Sequence, residues 1–230
     1  HRIDILVSGR GSLLPPLLEA VDKGEIPACI GQVISDRPNA PALDWARKAG
    51  LKTLCLDRRE YGPKAGGERG WKRGGEGCDG PEGVEVLGSP GWGKGTLSDA
   101  VLENVRGRAD LLVLAGFLSI LEGELLEEFA GRIINIHPAL LPLHGGKGMY
   151  GMRVHEAVIK GRDGYSGCTV HYVTEGVDRG PVILQRSVAV LPEETAESLQ
   201  EKVHLIEGET LVEAIRMILE GEKREGEADT

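Results

Sequence analysis

Short apolar runs alternate with amphipathic helical segments through the first half of the chain. The runs are rich in Ile, Val and Leu and too short for typical helices, which predicts buried strands at 3–7, 30–35, 51–56, 111–114 and 132–137. Helical periodicity lies between them at 13–21, 41–48, 97–105 and 121–129. This alternation predicts an α/β fold with a Rossmann-like, mostly parallel sheet flanked by helices.

The second half of the chain has a different pattern. A helix is predicted at 153–160, followed by 168–174 and 181–190, which alternate like two strands of an antiparallel ribbon. A long amphipathic helix is predicted at 195–220, with Thr195 as its N-cap. We therefore expect one domain over 1–230 with an antiparallel C-terminal extension and a frayed tail at 221–230.

Residues 61–96 interrupt the pattern, with thirteen glycines between positions 62 and 95 mixed with Lys, Arg, Glu and Pro. Such a segment buries little apolar area, and ordering it costs much conformational entropy. We interpret 61–96 as a tolerated Gly-rich insertion loop, with a functional lid as the alternative.

Charge and cysteine usage limit the classes of partner. The formal net charge of -9 argues against a general nucleic-acid binder, and the apolar runs are far shorter than a membrane span. The four cysteines are widely spaced without a Cys-x-x-Cys pair, which favours reduced thiols over a disulfide frame or zinc site. We expect a cytoplasmic protein with no metal, nucleic-acid or membrane partner; the sequence leaves a homodimer open.

The apolar run at 132–137 ends in Asn135-Ile136-His137 and is stopped by Pro138. Side chains two apart in a strand share a face, so Asn135 and His137 would lie roughly 7 Å apart. Ligands bind at the C-terminal edges of strands in open α/β sheets, where an amide and an imidazole can polarise a carbonyl and move a proton. The alternative is a turn-capping Asn135 and a packed His137.

The turn at 8–12 contains Gly9 and Gly11 between the first predicted strand and helix. Backbone N–H groups at such a junction can hold a phosphate. Leu14 occupies the third glycine position of the dinucleotide fingerprint, and no Gly-Lys-Ser/Thr follows, so neither standard phosphate motif is present. A plain tight turn is an equal alternative.

Asp178 lies in the loop 174–181, which joins two predicted strands. An aspartate there can reach His137 and raise its pKa by favouring the imidazolium; the alternative is a turn aspartate without a partner. His171, on the strand entering the loop, is either next to the site or simply buried. Together, the phosphate turn, the Asn135–His137 edge and the acidic loop describe metal-free acyl transfer to a phosphorylated substrate.

Five motifs occur together in the order of a known family: Ser-Gly-Arg-Gly-Ser at 8–12, Leu-Ala-Gly-Phe-Leu at 114–118, Asn-Ile-His-Pro-Ala-Leu-Leu-Pro at 135–142, and the segments 168–173 and 178–185. On these residues the chain resembles the glycinamide ribonucleotide formyltransferases of purine biosynthesis. The likeness covers nearly the whole chain outside 61–96 and the last ten residues. It implies the formyltransferase fold and formyl transfer from 10-formyltetrahydrofolate to the amine of glycinamide ribonucleotide, without metal.

The resemblance also implies the catalytic roles. Asn135 would hydrogen-bond the formyl oxygen, and His137 would stabilise or protonate the developing oxyanion. Asp178 would orient His137 and, through a water, help remove the proton from the attacking amine.

By position, the resemblance implies two sets of binding residues. Leu13 stands where the family usually has Asn, and Ser119 where it more often has Arg. The substrate residues are Gly11, Ser12 and Leu13 for the phosphate, Gly116 and Pro138 for the glycinamide, and Glu207 for the ribose. The formyl-folate residues are Leu118, Ser119, Ile120, Leu121, Asn135, Thr174, Glu175, Gly176, Val177 and Asp178.

Other folate enzymes share the Asn-x-His-Pro motif. We expect a methionyl-tRNA formyltransferase to be more basic and to carry a C-terminal RNA-binding domain. We expect a formyltetrahydrofolate deformylase, which hydrolyses the same co-substrate, to carry an N-terminal regulatory domain. A non-catalytic folate- or nucleotide-binding protein is the alternative from another class, although retention of Asn135, His137 and Asp178 speaks against it.

Overall fold

The computed structural model describes residues 1–61 and 95–228. The predicted insertion at 61–96 therefore lies almost entirely outside the described residues. The strands are β1 Arg2–Val7, β2 Cys29–Ser35, β3 Thr53–Cys55, β4 Leu111–Leu114, β5 Ile133–His137, β6 Tyr165–Tyr172 and β7 Val182–Ala189. The helices are α1 Leu14–Asp22, α2 Pro41–Lys48, α3 Leu97–Val105, α4 Glu124–Glu128, α5 Met152–Gly161 and α6 Ala196–Ala228.

The described strands form one sheet in the order β3-β2-β1-β4-β5-β6-β7. The first five in this order pair in parallel, and β6 and β7 extend the sheet in antiparallel fashion. The fold prediction is confirmed. The chain runs outward from β1 to β3 and resumes at β4 on the other side of β1, so the topology reverses between β1 and β4. Ligands bind outside the C-terminal ends of strands at such a point.

Helices cover both faces of the sheet because strand side chains alternate between the faces. Ile5 and Val113 pack in the core cluster shared with α1, α2, α5 and α6. Leu6 and Leu112 point to the opposite face, into the cluster with α3 and α4. No helix within the described ranges is both long enough and apolar enough to cross a membrane.

Several element ends differ from the sequence prediction. Helix α4 begins only after Gly123, whose φ of +68° lies outside the helical region. Strand β6 begins at Tyr165, because residues 165–167 pair with β7 although they lack apolar alternation. Thr195 caps α6 by accepting a hydrogen bond from the Ser198 N–H (3.2 Å), as predicted. The helix continues to Ala228, into the segment predicted to fray.

Candidate active site

Strand β5 carries Asn135 and His137 at the C-terminal edge of the sheet. Its parallel neighbour is β4 and its antiparallel neighbour is β6, so the strand is held on both sides. His137 is 4% exposed, and its cross-strand partner is Thr169. The apolar residues between and before the two polar positions anchor the strand in the core.

Asp178 meets His137 from the loop between β6 and β7. Its Oδ2 lies 3.5 Å from His137 Nδ1. Its backbone is left-handed, with φ of +57°, a conformation that aspartate tolerates better than most residues. The Gly146 N–H donates to the same Oδ2 at 2.9 Å. The structure thus brings the predicted imidazole and carboxylate together.

His171 links Asn135 to Asp178. Its Nδ1 lies 2.9 Å from the Tyr172 carbonyl, which can only accept, so Nδ1 carries the proton and Nε2 is left to accept. The Asn135 amide donates to that Nε2 at 3.1 Å, and Asp178 Oδ1 lies 3.6 Å away. Of the two roles left open for His171, the structure places it in contact with the site, and it is also buried.

Burial lowers the pKa of His137 below its ordinary value, although the Asp178 carboxylate and the His144 carbonyl act in the opposite sense. The Asp178 contribution therefore has the predicted direction, but the desolvation of a nearly inaccessible ring outweighs it. Burial alone would also raise the pKa of Asp178, but His137 and the Gly146 N–H lower it, as would a hydrogen bond from the His171 ring. Asp178 is thus a carboxylate at neutral pH.

Both ring nitrogens of His137 face acceptors. Nε2 lies 2.8 Å from the His144 carbonyl, and Nδ1 faces Asp178. A neutral imidazole has one N–H and satisfies only one of them, whereas imidazolium satisfies both. Geometry therefore favours the charged ring while burial favours the neutral ring. This balance suits a group that takes up and releases a proton during a reaction.

The turn between β1 and α1 follows the C-terminal end of β1, at the topological reversal. Gly11 has φ of +71°, and a Cβ there would meet the Ala42 Cβ at 2.6 Å, so this position requires glycine. Ser12 and Leu13 complete the turn before α1. Pro15 and Pro16 open the helix without N–H groups, so any backbone donors for an anion come from the turn rather than from those positions.

The segment after β4 is attached to the same turn. The Ser8 N–H donates to the Gly116 carbonyl at 3.0 Å, and the Leu118 N–H donates to Ser8 Oγ at 2.8 Å. Leu118 and Ile120 are exposed and Leu121 is buried. Ser119 donates its hydroxyl to the buried carboxylate of Asp36 at 2.6 Å. The predicted folate segment thus presents two apolar side chains to the surface.

Glu207 lies on α6, with its side chain 14% exposed, 2.9 Å from His204 Nδ1. The neighbouring Gly208 packs on Pro16 of α1, where a Cβ would approach the ring at 3.0 Å. Glu207 is therefore on the part of α6 that contacts the start of α1. The hydrogen bond with Glu207 raises the pKa of His204.

The other predicted binding residues flank the cluster. Pro138 directly follows His137 and is half-buried. Thr174, Glu175 and Gly176 are exposed at the start of the loop that carries Asp178, and Val177 is partly buried. Among residues 1–61 and 95–228, no group of three or more His, Cys, Asp or Glu side chains is arranged to hold a metal ion.

Sequence reasoning missed the residues that hold the segment after His137. The Thr169 hydroxyl donates to the Ala139 carbonyl at 2.6 Å and accepts from the Leu141 N–H at 3.0 Å. Gln185 Nε2 donates to both Thr169 Oγ1 and the Leu141 carbonyl. Thr169 and Gln185 lie within the motifs at 168–173 and 178–185, but their contacts depend on the β5–β6–β7 register, which the motifs do not reveal.

A family model and several known proteins match most of the chain. The formyl transferase family model matches residues 1–215. The chain is 32% identical over 219 residues to the chloroplastic phosphoribosylglycinamide formyltransferase of Arabidopsis thaliana, covering 95% of this chain but only 65% of that protein. It is 30% identical over 224 residues to the phosphoribosylglycinamide formyltransferase of Haemophilus influenzae, covering 97% of this chain and 89% of that one.

A solved structure agrees in fold. The crystal structure of glycinamide ribonucleotide transformylase 1 from Symbiobacterium toebii superposes with a TM-score of 0.76 at 33% identity. The match covers 96% of this chain and 88% of that chain.

Proposed function

Because this chain belongs to the formyl transferase family, we propose that it transfers a formyl group from 10-formyltetrahydrofolate to the amine of glycinamide ribonucleotide. In this reaction the amine nitrogen bonds to the formyl carbon and the bond from that carbon to N10 of the folate breaks. The amine loses one proton and N10 gains one.

One observation carries the proposal: an amide, an imidazole and a carboxylate meet at the C-terminal end of β5. This strand lies next to β4, on the side of the sheet that the chain builds after the topological reversal. His171 Nε2 accepts from Asn135 and lies 3.6 Å from Asp178 Oδ1, and Asp178 Oδ2 lies 3.5 Å from His137. The glycine turn lies after β1, separated from β5 only by β4. An acyl transfer to a phosphorylated amine needs these groups at one edge of the sheet.

The catalytic roles follow from the hydrogen-bonding capacity of each group. Asn135 donates an amide N–H to the formyl oxygen, and the imidazolium of His137 stabilises or protonates the oxyanion that develops there. Asp178 stabilises the imidazolium of His137 and, through a water, accepts the proton lost by the amine. A preorganised donor of this kind typically contributes about 10²–10³ in rate.

The binding roles divide between the two sides of the cluster. Gly11, Ser12 and Leu13 hold the phosphate through backbone N–H groups, Glu207 binds the ribose hydroxyls, and Gly116 and Pro138 line the glycinamide. The folate is held by two segments. They are 118–121, with Leu118, Ser119, Ile120 and Leu121, and 174–178, with Thr174, Glu175, Gly176, Val177 and Asp178.

A deformylase is the nearest alternative activity, since it uses the same co-substrate with water as the acceptor. The test is to incubate the purified protein with 10-formyltetrahydrofolate and to measure tetrahydrofolate release with and without glycinamide ribonucleotide. Release that requires the ribonucleotide supports the transferase. Release in water alone indicates the deformylase, and binding without release indicates a non-catalytic folate protein.

The cellular setting is part of the same proposal. We propose small-molecule substrates as the partners and a cytoplasmic location; the Arabidopsis relative is named as chloroplastic. Fractionation of the source cells tests the location. Sedimentation of the purified chain distinguishes a monomer from a homodimer.

A further inference from the structure

One short backbone segment contacts both the imidazole and the carboxylate of the site. We refer to residues 143–146 as the His144 loop. The His144 carbonyl accepts a hydrogen bond from His137 Nε2 at 2.8 Å, and the Gly146 N–H donates to Asp178 Oδ2 at 2.9 Å. The His144 loop therefore supplies one hydrogen-bond partner to His137 and one to Asp178.

The His144 loop has an unfavourable backbone conformation. His144 has φ of +52°, a region that non-glycine residues seldom occupy. A Cβ on Gly145 would lie 2.5 Å from Leu141 Cδ2 and 3.2 Å from the Asp178 Cβ, so the loop also passes close to the acidic loop. Backbone in such conformations costs on the order of 1–3 kcal/mol and persists only where surrounding contacts hold it.

A side-chain contact outside the catalytic cluster holds this conformation. His144 Nε2 lies 2.5 Å from Asp163 Oδ2. Asp163 follows α5 directly after its C-cap, Arg162. Both side chains are at least two-thirds buried, with exposed fractions of 20% for His144 and 33% for Asp163. A charge-assisted hydrogen bond of this geometry anchors the loop to the end of the helix.

We infer that His144 and Asp163 are positioning residues for the reaction: their side-chain contact holds the His144 carbonyl against His137 and the Gly146 N–H against Asp178. This positioning concerns the geometry of His137 and Asp178, and only the activity measurement rests on the proposed function. His137 itself lies on the firmly paired strand β5. Loss of the contact between His144 and Asp163 would therefore displace the His144 loop rather than His137.

The His144 carbonyl acts on the proton affinity of His137. The groups that interact electrostatically with this ring are Asp178, the His144 carbonyl, His171, Glu207 and His155. The carbonyl contact raises the pKa of His137, as Asp178 and Glu207 do, while burial and His171 lower it. Losing the carbonyl therefore lowers the pKa of His137 further, and the imidazolium is less populated at neutral pH.

The experiment follows His137 in the protein alone. Asp163→Ala removes the anchor, and Asp163→Asn keeps an oxygen that can accept from His144. Asp44→Asn removes an exposed carboxylate of the ion pair with Arg47 and serves as the control. NMR titration of the histidine ring protons gives the midpoint of His137, which the His137→Asn spectrum identifies among the six histidines.

We expect the His137 midpoint to move to lower pH in Asp163→Ala, less in Asp163→Asn, and not at all in Asp44→Asn. In the transferase assay we expect kcat of Asp163→Ala to fall about tenfold with little change in KM, because misplaced catalytic groups lose rate rather than ground-state binding. If Asp163→Ala does not fold, His144→Asn tests the same contact, since asparagine tolerates positive φ.

An unchanged His137 midpoint in the folded anchor variants overturns the inference, whatever the enzyme's activity. A shifted midpoint in a protein that releases no tetrahydrofolate supports the inference and overturns the proposed function. The two failures are therefore distinguishable.

Discussion

Asn135 of β5 and His171 of β6 are direct cross-strand partners, and the Asn135 amide donates to His171 Nε2 at 3.1 Å. Replacing His171 with Phe keeps the volume but removes the acceptor for Asn135 and a neighbour of Asp178. We expect kcat to fall about tenfold, equivalent to about 1.4 kcal/mol of transition-state stabilisation. Steady-state kinetics measure this, and normal turnover would show that strand pairing alone orients Asn135.

The imidazole of His137 is expected to contribute more than any of its neighbours. His137→Asn removes the proton donor from the rigid end of β5, so kcat should fall by at least about 10². Folate binding, followed by fluorescence or calorimetry, should change little because the pterin segment is untouched. A variant that keeps near-normal turnover would remove His137 from the mechanism.

Removing the charge of Asp178 should be visible in the titration of His137. Asp178→Asn suits the left-handed backbone at this position. It also removes a carboxylate that raises the pKa of His137, so that pKa, already lowered by burial, should fall further. We expect the alkaline limb of the rate profile to move to lower pH and kcat to fall by about 10². A limb that stays in place would show that Asp178 does not act on His137.

Thr169 is expected to matter for stability because its hydroxyl serves three partners. Thr169→Val leaves the Ala139 carbonyl and the Leu141 N–H without their partner. An unsatisfied buried polar group costs about 1–3 kcal/mol, so the free energy of unfolding in urea should fall by at least that amount. Thr210→Val is the matched control: the Thr210 hydroxyl donates to the Ile206 carbonyl of its own helix and accepts only a thiol hydrogen bond from Cys168, so this variant should lose less.

Stability should decline as the pH falls from neutral to about 5, through the buried histidines. Burial lowers the folded-state pKa of His155 and of His137 below 6.5. The unfolded chain then binds more protons, so folding weakens as pH falls through 6.5 and the loss levels off below the folded pKa. His155→Gln should flatten this slope by up to about 1.4 kcal/mol per pH unit.

His204 serves as a control, because its effect on the pH dependence of stability has the opposite sign. Glu207 raises the pKa of His204, so its contribution is present below pH 6.5 and is lost as pH rises through the folded pKa. His204→Gln should therefore steepen the acid loss slightly, by a small amount because the side chain is 45% exposed. Equal slopes in all three proteins would show that neither histidine governs the acid limb.

The sequence was sufficient for the parallel sheet because its strands are continuous apolar runs. Strand β4 and helices α2 and α3 have the predicted bounds. Helix α4 is shorter than predicted, since periodicity does not reveal where Gly123 leaves the helical region. The start of β6 was missed because residues 165–167 contribute backbone pairing rather than an apolar pattern, and a Cβ on Gly167 would meet the Arg186 carbonyl at 2.0 Å.

The sequence was sufficient to predict which residue types form the site, but less so to predict the contacts between them. Asn135, His137 and Asp178 have reactive side chains in recognisable surroundings. The bridging position of His171 depends on the antiparallel register of β5 and β6, which the sequence does not state. The His144 carbonyl carries no side-chain signature. The direction of the pKa shift of His137 depends on how deeply the ring is buried, which requires the folded structure.

The position of β5 has a consequence for how substrates can enter. Residues 133–135 are paired with β4 and residues 134–137 with β6, so we expect the amides of this strand to exchange with deuterium only through global unfolding. We therefore do not expect the strand that carries Asn135 and His137 to open when a ligand enters. Among the described residues, we expect the movement that accompanies turnover in the His144 loop and in 174–180, whose amides should exchange orders of magnitude faster.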